Sequence, residues 1–234
     1  MKYLFLSLLL WLIASAPAGA QRIAKPSARL NPPLKQELDS MYVQDQIFRE
    51  ALIDPAKTKQ RDSLAQRYQL PANNVQGGLM SRMIRTDSSN LQRVRAIIKR
   101  FGYPGKSLVG TPTNEAAFYV IQHSSRIPEY LPLIKQAAEQ GELPFRLYAM
   151  MLDRQLMYAG QPQVYGTQGR SFPNPNPTEK QQYFIWPIAD PAHVNERRRQ
   201  AGFDQTVEEN AARLNIPYQV LTIEEVEKMP GYKK

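Results

Sequence analysis

Apolar residues recur at helical spacing along this chain, and that recurrence restricts the fold more than any other feature. At about 100° per residue, Leu34, Leu38, Met41, Phe48 and Leu52 fall on one stripe, and Val94, Ile97, Ile98 and Phe101 on another. The spacing predicts helices over residues 34–52, 58–68, 87–101, 113–124, 128–140 and 144–158. The first stops before Pro55, and the second at Pro71 and a loop holding Asn73, Asn74, Gly77 and Gly78. Asp87 is a suitable N-cap for the third, and Pro128 and Pro144 open the last two, where a missing N–H costs nothing. From Gln161 the period changes: β-type runs at 163–168 and 183–188 flank a loop rich in Pro and Asn, which reads as a hairpin over 163–188. Asp190-Pro191 then opens a helix, and the capping signatures Thr206 to Glu209 and Thr222 to Glu225 open two more. The expected fold class is mostly α, a multi-helix domain with one small β-hairpin.

The N-terminus constrains location. Lys2, an apolar run over 3–13 and the closing Ala18-Gly19-Ala20 read as a secretory signal peptide cut before Gln21. The run is shorter than the ~20 residues a bilayer span needs, so no stable span is expected after cleavage. The expected organisation is a signal peptide at 1–20, an extended leader at 21–33, a helical domain at 34–203 and a C-terminal helical extension and tail at 204–234. The expected compartment is periplasmic or extracellular. The chain has no cysteine, which removes disulfides, metal thiolates and a Cys nucleophile.

Charge suggests the kind of partner. The formal net charge of +9 becomes +8 once Lys2 is lost, and between Arg82 and Lys106 seven basic residues face one acid, Asp87. An anionic or peptide-like envelope ligand suits that balance, and nucleic acid is not expected for an exported chain; a plain solvated face is the competing reading.

Polar residues inside apolar stripes are the informative exceptions. Asp45 lies at the centre of the first stripe with Arg49 one turn on, and Asn90 falls on the third helix's stripe. His123 shares a face with Ala116 and Val120, and Asp153 and Arg154 are surrounded by Met150, Leu156 and Met157. Each costs stability unless partnered. They form either a structural buried network or the lining of a polar cleft.

These residues carry a resemblance. The string Gln163-Val164-Tyr165-Gly166-Thr167-Gln168, preceded by Asp153-Arg154 and by Gln122-His123, looks like a bacterial family of unknown function marked by a Gln-x-Tyr-Gly-Thr-Gln motif. The elements Asp45-Gln46-x-x-Arg49, Asp87-x-x-Asn90, Gly102-x-Pro104 and Val194-x-x-x-Arg198-x-x-x-Gly202 resemble it too, so that the likeness runs over about 34–203. It implies a shared domain and a site map without a reaction. The long proline-rich loop after Gln168 departs from the pattern.

The chemistry available is acid–base and polar. His123 is the candidate general acid or base, with Asp153 or Asp45 to orient it, and Tyr165 a donor to a developing oxyanion. Gly166 would admit a ligand to the backbone. Asp45, Arg49, Asn90, Arg154, Gln163, Thr167, Gln168 and Arg198 are the candidate ligand-binding residues, and His123, Asp153, Arg154, Tyr165 and Gln168 are expected to share one cleft. There are only two histidines, His123 and His193, so neither a metal site nor a cofactor is expected. No Gly-x-Ser-x-Gly elbow or complete phosphate loop occurs. The expectation is an exported hydrolase or group-transfer enzyme acting on an anionic or amide substrate, with a non-catalytic envelope ligand-binding module as the alternative.

Overall fold

The computed structural model describes residues 30–173 and 181–232. The expected signal peptide, most of the expected leader, residues 174–180 of the Pro/Asn loop and the last two lysines lie outside the described residues.

The first helix, α1 (Pro32–Ile53), starts two residues earlier than its apolar pattern, because Pro32 and Pro33 occupy its first turn. There the orphan N–H groups have no helical partner to lose. The Asn31 side chain caps it by accepting from Leu34 N at 3.1 Å. Leu34, Leu38, Met41, Phe48 and Ala51 are buried along one face, with Asp45 among them.

After α2 (Thr58–Arg67) comes α3 (Val75–Phe101), which begins twelve residues before the Asp87 start expected from sequence. The Gly77-Gly78 pair lies inside the helix instead of ending the chain's regular structure. Packing overrides the glycine penalty here: Leu79 is fully buried in a cluster with Phe48, Ala51 and Leu64, and a Cβ on Gly78 would stand 2.7 Å from the Leu70 side chain.

The short α4 (Lys106–Val109) leads to a 3₁₀ turn at Thr113–Glu115 and then to α5 (Ala116–Gln122). His123, expected inside a continuous 113–124 helix, is the residue that caps the C-terminus of α5. The helices α6 (Ile127–Glu139) and α7 (Phe145–Tyr158) complete the main core, in which Leu38, Met41, Val94, Phe118, Ile121, Ile134, Leu147 and Met151 meet.

The sheet is a two-stranded antiparallel pair, β1 (Gly169–Ser171) with β2 (Tyr183–Ile185), in the register Gly169 to Ile185, Arg170 to Phe184 and Ser171 to Tyr183. The hairpin therefore exists, but its first strand begins after the motif; residues 163–168 form a loop, apart from a parallel bridge between Gln163 and Ile188. Successive side chains of β2 point to opposite faces. Phe184 joins Met157, Phe172, Trp186 and Val226, while Ile185 joins Val194, Val207, Ala211 and Ile216. These clusters tie α8 (Val194–Gln200), α9 (Val207–Arg213) and α10 (Ile223–Glu227) to the sheet, so that buried Val207 and Val226 join the chain after residue 203 to the body of the protein.

Candidate functional site

Two polar assemblies stand where helices meet. The first lies between α1, α3 and α5. Asp45 is 1% exposed at the centre of α1's apolar face, and a lone carboxylate there would carry a desolvation cost of several kcal/mol. Several donors offset it. His123 Nδ1 lies 3.1 Å from Asp45 Oδ1 and 3.0 Å from Oδ2, Gln46 Nε2 donates to Oδ2 at 2.6 Å, and an Arg49 terminal nitrogen lies 3.2 Å from Oδ1. Arg49 also donates to the Asp45 backbone carbonyl and, at 2.7 Å, to Asp87 Oδ2 on α3. Asn90, one turn after Asp87, is buried and donates to Met41 O. The second oxygen of Asp87 and the amide oxygen of Asn90 are buried acceptors without partners among the described residues.

His123 differs from the rest of this group. Its side chain is 18% exposed. Its Nε2 makes no hydrogen bond among the described residues and is not one of the buried unpaired atoms, so it is not fully sealed from solvent. All the α5 side chains are buried except Tyr119, which precedes His123 by one turn. Opposite it on α1 stands Tyr42, the ring centroids 5.2 Å apart. A cavity of about 120 Å3, lined by Asp39, Tyr42, Thr113, Glu115 and Tyr119, opens at that end. Tyr42 and Asp45 on α1 thus face Tyr119 and His123 across one α1/α5 groove, whose cavity lies at the tyrosine end and is lined by neither Asp45 nor His123.

The second assembly builds the motif loop. Asp153 is wholly buried on α7, and its two oxygens accept from Val164 N, Tyr165 N, Thr167 N and Thr167 Oγ1 at 2.8–3.2 Å. Burial raises its pKa, and these donors oppose the rise. Gln163 holds the loop's other end: its amide accepts from Gln168 N and donates to Gln168 O and Trp186 O.

The outward carbonyls are bound as well. Arg197 donates to Val164 O, Arg198 to Tyr165 O at 2.8 Å and Asn210 to Gly166 O at 3.1 Å. Burial lowers the pKa of Arg198, against the pull of Asp153. Gly166 takes a left-handed φ of +67°, and a Cβ there would stand 2.6 Å from Val207 Cγ2. The close approach to Gly166 is thus made by α9. The Tyr165 ring lies 6.2 Å from that of Phe203, and its hydroxyl pKa is raised, mainly by burial.

One side chain joins the two assemblies. Arg154 Nε donates to Gln168 Oε1, and its NH1 donates to the carbonyl of Gln122, the residue before His123, both at 3.2 Å. Its other terminal nitrogen makes no hydrogen bond among the described residues. Arg154, Gln168, Thr167 and Asp153 thus form one hydrogen-bonded chain, while His123 pairs with Asp45. Among the described residues no group of three or more His, Cys, Asp or Glu side chains is placed to hold a metal ion, and no helix is long and apolar enough to cross a membrane.

The apolar-stripe argument points to Asp45, Asn90, His123 and Asp153, but it does not reach Arg197 or Asn210. Arg197 is hidden in the run Arg197-Arg198-Arg199, which reads as solvated charge. Asn210 was accessible to the same argument, since it lies on the α9 face with Val207 and Ala211.

The polar residues just described fall inside a single matched region: a model for a family of unknown function, DUF6624, covers residues 32–221. The chain belongs to the DUF6624 family. The matched DUF6624 region runs from the first residue of α1 past α9, so both assemblies lie within it. No curated protein and no solved structure matches the chain.

Proposed function

We propose that this chain is an exported enzyme that hydrolyses an amide in the α1/α5 groove, with His123 as general base and acid and Asp45 as its orienting carboxylate. The observation that carries this reading is the asymmetry of the imidazole: Nδ1 is held by a buried carboxylate, and Nε2 is unbonded among the described residues on a side chain that is 18% exposed. Asp45 fixes the tautomer with the proton on Nδ1 and the lone pair on Nε2. Nε2 then takes a proton from water as the water oxygen attacks the carbonyl carbon. When the C–N bond breaks, the same nitrogen returns the proton to the leaving amine.

Arg154, anchored beside His123 through the Gln122 carbonyl, offers its remaining N–H groups to the developing oxyanion or to an anionic group of the substrate. Arg49, spent on Asp45 and Asp87, holds the dyad in place. Asp153, Gln163, Thr167 and Arg198 position the motif loop, and through it Gln168 and Arg154. The Tyr42–Tyr119 end of the groove seats the part of the substrate that does not react.

The test is incubation of the mature chain with envelope fragments containing amide bonds, followed by mass spectrometry. Addition of water to at least one fragment, lost in a folded His123→Ala variant, supports the reading. Fragments that are bound but unaltered make the chain a ligand-binding module and overturn it.

A further inference from the structure

A second cavity lies where β2 meets the segment between α9 and α10 and the chain after α10. It measures about 500 Å3, inside the range of small-molecule sites. Its lining is chemically selective. Among the described residues no Lys, Arg, Asp or Glu lines this cavity. In their place are carboxamides, Gln181, Gln182, Asn215 and Gln219, with Tyr183 and Phe184 among the aromatics.

An ionic ligand would give up part of its hydration there with no counter-charge among the described lining residues, so that lining disfavours it. A purely apolar ligand would strip water from the amides without replacing those bonds. Each carboxamide offers two N–H donors and a carbonyl acceptor, which is the double character that a sugar hydroxyl needs in a partner. Gln181 is already bonded to Ser171 Oγ and Phe172 O. The side chains of Gln182, Asn215 and Gln219 make no hydrogen bond among the described residues and remain available.

Tyr183 is 56% exposed although it lies in a strand beside two buried residues. An aromatic face carries a negative quadrupole that attracts the weakly positive C–H edge of a pyranose ring. The geometry points to a binding site for a neutral oligosaccharide, in which Tyr183 stacks against a sugar ring and Gln182, Asn215 and Gln219 bond its hydroxyls. This site is separate from the Asp45–His123 pair and stands whether or not that pair is catalytic.

Titration calorimetry of the mature chain with maltotriose, cellotriose and triacetylchitotriose, and with a galacturonate trimer as the charged counterpart, tests it. At least one neutral trisaccharide is expected to bind, with the charged trimer at least tenfold weaker. Tyr183→Ala and Gln219→Ala should each weaken binding about tenfold with the thermal midpoint unchanged, and His123→Ala should leave binding intact. Absence of binding by all three neutral sugars, preference for the charged trimer, or binding untouched by both cavity variants would overturn the proposal. Capture of a proline-rich peptide without any sugar binding would also overturn it.

Discussion

His123 Nδ1 sits 3.1 and 3.0 Å from the two carboxylate oxygens of Asp45, a residue 78 positions earlier in the chain. The pair joins the C-terminal end of α5 to the middle of α1, one turn beyond the contact of Tyr42 with Tyr119. Removing the imidazole leaves Asp45 with Gln46 and Arg49 as donors. His123→Ala is therefore expected to cost about 1–3 kcal/mol in denaturant titration while lowering turnover of any hydrolysed substrate by about 10²–10⁴-fold. A loss of stability with turnover unchanged would make the pair a structural contact alone.

Arg49 holds two carboxylates from different helices. In Arg49→Ala, Asp45 keeps its bonds to His123 and Gln46, but Asp87 Oδ2 loses its partner beside an oxygen that is already unpaired. The expected loss is about 2–3 kcal/mol by urea unfolding, above the ~0–1 kcal/mol of an exposed ion pair. A loss under 1 kcal/mol would mean that solvent screens this face.

Gly166 combines a left-handed backbone with contact to α9 and Ile188. Gly166→Ala should cost about 2–4 kcal/mol, from backbone strain and overpacking together. The loss should appear in thermal unfolding. An unchanged midpoint would show that the loop tolerates a side chain there.

Asp190 offers a pH test with a defined sign. The hydrogen bond from His193 holds its carboxyl below the usual 3.8; burial opposes it, and the charges of His193 and Arg197 with a hydrogen bond from Arg197 add to it. Because the folded value lies below the unfolded one, the stabilisation is complete above 3.8 and is lost as pH falls through the folded value. Carboxyl NMR titration should place Asp190 below 3.8 in the native chain and closer to 3.8 in His193→Ala. Identical midpoints in the two proteins would contradict the contact.

The helices were legible because their apolar residues repeat with the period of the structure they form. The start of α3 was not: Gly77 and Gly78 read locally as a break, and only the burial of Leu79 against α1 and α2 makes them helical. The motif loop was misplaced for a related reason. Gln163 to Gln168 alternates like a strand, yet its N–H groups are taken by Asp153 from a preceding helix, a partner that no local pattern displays. Inward-facing Asp45 and His123 were both readable from their stripes, whereas their pairing required the packing of α1 on α5.

The most direct test of the acid–base reading is whether His123 Nε2 can be reached and is nucleophilic in the folded protein. Carbethoxylation with diethyl pyrocarbonate, mapped by peptide mass spectrometry, reads this at each histidine, and exposed His193 serves as the internal standard. His123 should be modified at Nε2 in the native chain, and ligands that enter the groove should protect it while His193 still reacts. Modification of His193 with His123 untouched until the protein unfolds would place Nε2 in a sealed core and contradict the account.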